Sequence, residues 1–123
     1  SADEVQEFQQ FFLREKKRYP ALALLTLLSQ GSLQAKPSEL ENLRSACIEQ
    51  SPNADPEMLF WIVRALRASE RILLSNENTW RSTIVSRILE KQKGQGAFGE
   101  NDSTADLSAT VLYLQILQLC LTP

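Results

Sequence analysis

Histidine is absent from the 123-residue chain, and that absence excludes more chemistry than any residue present suggests. Ser-His-Asp and Cys-His catalysis, histidine-ligated zinc and imidazole pH switching all require it. Cysteine is scarce: Cys47 and Cys120 are too few for the disulfide framework of a small secreted scaffold. Two buried helical thiols are the plain expectation, and a single Cys47–Cys120 disulfide in an exported protein is the alternative. An excess of one charge is also lacking. The 13 basic and 15 acidic residues nearly cancel at −2, so no nucleic-acid partner is expected. No apolar run approaches the ~20 residues of a membrane span, so no integral membrane segment is expected.

What remains is a composition of 43% apolar and 23% charged residues, which fits one globular domain over residues 1–123. The chain opens on Ser1 rather than Met, as a processed or an excised chain would, and its compartment stays open.

Six helical segments separate at turn signals. The first is expected over residues 3–17, with Val5, Phe8, Phe11 and Phe12 as its apolar face and the basic cluster Arg14, Lys16, Lys17 and Arg18 at its end. Pro20 suits the first turn of the second, residues 21–30, which holds no charge and must be buried nearly all round. Ser38 and Glu41 have capping-box spacing for the third, whose stripe is Leu40, Leu43 and Cys47. Asp55-Pro56 reads as the cap and first turn of the fourth, which contains Met58 to Val63. The fifth is expected over residues 79–91, with Trp80, Ile84, Ile88 and Leu89 inward. Ser103 and Asp106 cap the sixth, apolar on almost every side over residues 107–121. Trp61 and Trp80 read as core anchors.

Odd segments are amphipathic and even ones apolar. Even helices start near positions 20, 56 and 103, so the sequence predicts three helical hairpins over residues 3–30, 38–71 and 79–121, each with an outer and an inner helix. The fold class is all-α, as a half-toroid or a compact six-helix bundle.

The third hairpin carries a resemblance. Ile84 to Gln92, then Gly94, Gly96, Phe98 and Gly99, then Ser103, Thr104, Ser108 and Ala109 form an outer helix, a G-x-F-G-like turn and a small-residue inner helix. Over residues 80–120 this resembles an α/α-toroid repeat, as in terpenoid cyclases, prenyltransferase β-subunits, thioester domains and cobalamin carriers. A full toroid has about six hairpins and this chain resembles half a ring. The resemblance implies no catalysis here. The zinc set lacks its histidine, and D-x-D-D and Cys-Gly-Glu-Gln are missing. Cys47-Ile48-Glu49-Gln50 echoes the last inside a regular helix, where a strained thioester turn does not form.

The remaining motifs have simpler explanations. Gly94, Gly96 and Gly99 match a dinucleotide-binding pattern but follow a helix rather than a strand, so a turn is expected. Glu100, Asp102 and Asp106 lack calcium-loop spacing and read as caps. Asn101-Asp102-Ser103 fits a glycosylation acceptor. No metal or cofactor is expected. Arg64, Arg67 and Arg71 share one side of the fourth helix and suit an acidic partner. The sixth helix, with Leu117, Leu119 and Leu121, has no capping helix after it, so its apolar face should meet something else.

The expected function is therefore a non-catalytic module binding an apolar helix or peptide, or a second copy of itself. The surface would be the inner-helix groove or the sixth-helix face, with Leu117 and Leu119 in contact and the arginines setting specificity. A carrier of a small apolar ligand, or a piece of a larger toroid enzyme or thioester protein, is the alternative.

Overall fold

The computed structural model describes residues 2–29, 36–73, 79–91 and 104–122. These form six α-helices and one short 3-10 turn, with no strand among the described residues. The helices are α1 (Ala2–Arg14), α2 (Pro20–Ser29), α3 (Pro37–Gln50), α4 (Pro56–Leu73), α5 (Thr79–Lys91) and α6 (Thr104–Leu121). The 3-10 turn Ser51–Asn53 links α3 to α4.

Helix α2 begins on Pro20, whose fixed φ and missing N–H suit the first helical position. It buries Ala21, Ala23, Leu24 and Leu27, and its one hydroxyl in the core, Thr26, donates to the Leu22 carbonyl at 2.7 Å. Helix α4 is capped as the sequence predicts: Asp55 Oδ1 accepts from the Met58 amide at 2.7 Å. Leu59, Ile62, Val63, Ala65 and Leu66 give it a continuous buried face, and Ser69 inside that face donates to Leu66 O at 2.8 Å.

Helix α2 packs on α4 and α4 on α6, which makes a central row of the three even-numbered helices. Helix α1 lies on α2, α3 on α2 and α4, and α5 on α6. One core cluster runs through the row, where Ala21, Ala23 and Ala65 let the helices approach closely and Leu24, Ile62, Val63 and Leu66 fill the space between.

Several expectations need correction. Helix α1 stops at Arg14 rather than residue 17, because Pro20 disfavours α geometry at Tyr19 and three adjacent cations repel just before it. Its apolar face is largely open. Leu13 packs on the core and Phe12 is half-buried, but Val5, Phe8 and Phe11 are exposed, so the cover over this face is confined to its end near Leu13. Phe11, Phe12 and Tyr19 instead cluster with one another, with ring centroids 5.5 to 6.4 Å apart. Helix α3 starts one residue before its expected cap. Pro37 takes the first helical position, Lys36 becomes the cap residue, and no side chain caps the end, so the Ser38–Glu41 box does not form. Leu89 is exposed rather than inward, and Trp61, unlike the buried Trp80, is half-covered. Helix α4 is two-faced rather than apolar all round, with Glu57, Arg64 and Arg71 facing solvent.

Candidate interaction surface

At about 100° per residue, the side chains of α6 sort onto two opposite sides. Tyr113, Ile116 and Cys120 are buried against the body of the protein, with Ala109 beside them. On the far side Leu107, Val111, Leu114 and Leu121 are 65%, 54%, 57% and 71% exposed. Apolar residues scattered singly on a surface are ordinary, but four aligned on one helix with no charge among residues 107–121 form a patch. Leu117 and Leu119, the residues singled out from sequence, are partly buried and pack against the core cluster. They flank the outward face while their neighbours form it.

The end of α6 is held by a polar knot drawn from α4 and α5. Arg67 Nη1 donates to Leu119 O and, at 2.6 Å, to Thr122 O. Arg81 Nη1 reaches the same Thr122 carbonyl at 3.0 Å. Glu70 binds this pair of elements together: one carboxylate oxygen accepts from Arg81 Nη2 at 2.6 Å and the other from Trp80 Nε1 at 3.1 Å. The last carbonyls of a helix have no intrahelical donor and carry the negative end of its dipole, so two guanidinium groups there satisfy both needs. This knot fixes how α6 is turned about its axis, and hence which residues face outward. Its members are up to 55 residues apart in sequence.

The arginine stripe therefore divides. Arg67 is committed to the knot. Arg64 is exposed and lies over the Phe60 and Trp61 rings at 5.6 and 5.4 Å, and Arg71 is exposed. Both cysteines are free, buried thiols. Burial pushes Cys47 up to about 12 against the opposing pull of Arg44. It pushes Cys120 up to about 11, against Arg81 and Arg67 of the knot. Thiols held protonated in this way are poor nucleophiles and poor metal ligands.

Two of the concavities among the described residues lie elsewhere. One of about 190 Å³ between the 3-10 turn and α5 is lined by Ile48, Ser51, Thr79, Trp80, Thr83 and Arg87. The other runs along the open face of α1, beside Phe8, Phe11 and Phe12 with Glu4 and Glu7. Among the described residues no three His, Cys, Asp or Glu side chains come together as a metal site, and no helix is long and apolar enough to cross a membrane. Gly94, Gly96, Phe98, Gly99, Glu100, Asn101, Asp102 and Ser103 lie outside the described residues, as does the Asp106 side chain.

No protein-family model, curated protein or solved structure matches this chain.

Proposed function

We propose that this chain is a non-catalytic helical module that works by protein–protein interaction through the outward face of α6. The observation that carries the reading is the contrast within one helix. Both sides of α6 are uncharged over residues 107–121 and carry large aliphatic side chains, the outward one with Gln115 and Gln118 among them, and only the inner side is covered. A helix that is apolar all round belongs in an interior. An uncharged, apolar patch has the composition found at the centre of protein interfaces, where charged residues are depleted.

The row of α2, α4 and α6 with α1, α3 and α5 against it suits three stacked helical hairpins of the toroid type, whose end faces need a neighbour. The non-catalytic reading draws support from the two thiols, which are buried and held protonated. The ligand-carrier reading draws none from the inner row, where Ala21, Ala23, Leu24, Ile62, Val63, Ala65 and Leu66 are all fully covered.

The test is selection of amphipathic helical peptides from a displayed library, followed by methyl NMR mapping of where they sit. The expected result is binding that perturbs Leu107, Val111, Leu114 and Leu121 and is lost in Leu114→Glu. Peptides that map to other surfaces, or bind Leu114→Glu equally well, contradict the proposal.

A further inference from the structure

The outward face of α6 repeats with the period of a two-helix seam. It holds Leu107, Val111, Leu114, Gln118 and Leu121, separated by four, three, four and three residues. Lettered as a heptad, the three leucines all take position d, while Val111 and Gln118 take a. The buried residues fall on the other letters: Ala109 and Ile116 at f, Leu119 at b, Tyr113 and Cys120 at c. One helix thus presents two separate apolar faces, one used by its own domain and one with the phase of a coiled-coil contact.

We infer that α6 pairs in parallel with α6 of a second copy of this chain across Leu107, Val111, Leu114, Gln118 and Leu121. The inference rests on the interaction reading above and names its partner. Three features of the face select a second copy. Leucine at d with a β-branched residue at a favours two parallel strands. Gln118 carries a donor and an acceptor on one amide, so its own copy across a two-fold axis satisfies both, and an amide at a single a position fixes register. The flanking e and g residues, Ser108, Thr110, Gln115 and Leu117, bear no charge, so like helices meet without repulsion.

Area and order also suffice. Four aliphatic side chains of order 150–200 Å² each, exposed as they are, offer roughly 450 Å² per copy. With Gln115, Gln118 and the flanking hydroxyls, a pair covers about 1,200 Å² in total, at the lower end of stable interfaces. Two heptads of free peptide would be too short to pair in water. Here α6 is already folded against α4 and α5 and held at its end by Arg67 and Arg81, so pairing need not order the helix.

Sedimentation and light scattering across about 1 μM to 1 mM give the test, on the wild type, Leu114→Glu and Gln118→Cys. The wild type is expected to approach twice its 13.9 kDa chain mass. Leu114→Glu should keep its helical circular dichroism and weaken association at least a hundredfold. Gln118→Cys should form a 118–118 disulfide under mild oxidation, since the buried Cys47 and Cys120 do not compete. If Leu114→Glu fails to fold, Val111→Lys takes its place. Association should be insensitive to sodium chloride. A wild type that stays monomeric throughout, a dimer that survives a folded Leu114→Glu, a steep salt dependence, or a dimer without the 118–118 bridge each overturns the parallel seam. A monomer whose α6 still takes an apolar helical peptide overturns self-pairing alone, while a monomer that takes none overturns the interaction reading as well.

Discussion

Helices α4 and α6 are each 18 residues long, pack against one another, and supply much of the same core. Their outward faces differ completely. Helix α4 turns Glu57, Arg64 and Arg71 to water, and buries Leu59, Ile62, Val63, Ala65 and Leu66. Helix α6 turns three leucines and a valine outward and has no charge over residues 107–121. The two show the difference between a helix completed by its own domain and one that is not. Both bury residues of the same core cluster on their inner sides, so the outward sides are what distinguish them.

The two sides of α6 should respond very differently to a new charge. Ile116→Asp places an unpaired charge in the fully buried side and should cost more than about 4 kcal/mol, enough to unfold a domain of ordinary stability. Leu114→Glu, two residues earlier on the exposed side, should leave the unfolding free energy of the monomer within about 0.5 kcal/mol. Urea unfolding of both variants at a concentration too low for association checks the contrast.

Next comes the knot that sets the rotation of α6. Arg67→Ala removes the donor to Leu119 O and Thr122 O and should cost about 1–3 kcal/mol. Lysine at that position, with a point charge in place of a planar fork, should recover part of this loss in the same unfolding measurement.

A pH effect distinguishes the buried thiols from exposed ones. Both have folded pKa values raised above the ordinary 9.0, so the folded state keeps its protons when the unfolded chain begins to lose them. Their contribution is intact below pH 9 and is lost progressively as pH rises towards about 11 for Cys120 and about 12 for Cys47. Stability measured from pH 8 to 10.5 should decline, and a Cys47→Ala, Cys120→Ala pair should flatten that part of the decline. A chromogenic thiol reagent should react slowly with the native protein and quickly in denaturant.

The smallest effect belongs to α4. Arg64→Ala loses an exposed cation–π contact over Phe60 and Trp61 and should change stability by about 0.5–1 kcal/mol, without altering association through α6.

Local features were the legible ones. The Asp55-Pro56 start of α4 depends on a cap bond three residues long, and the burial of α2 on its lack of any charge, so both can be read from the chain. The all-helical class followed from such signals together. Where two local signals competed, at Pro37 and Ser38, proline at the first helical position displaced the capping box.

The phase of α6 was not legible. Its all-round apolarity is visible in sequence, but whether Leu117 and Leu119 or Leu107, Val111, Leu114 and Leu121 face outward is decided by α4 and by Arg67 and Arg81, far away along the chain. Arg67 has the same sequence signature as Arg64 and Arg71, and only the approach of the α6 carbonyls separates them. The open face of α1 was hidden for a related reason. Periodicity shows that Val5, Phe8 and Phe11 share an arc, but not whether a neighbouring helix extends far enough to cover it.

Whether the outward face of α6 is covered in the working molecule can be read by methyl NMR with a soluble paramagnetic relaxation agent. At concentrations that favour association, the methyls of Leu107, Val111, Leu114 and Leu121 should be shielded almost as well as those of the buried Ile116. In Leu114→Glu the remaining three should become as accessible as the exposed Leu89. Full accessibility of all four in the wild type at every concentration, with or without an apolar helical peptide, would contradict the account.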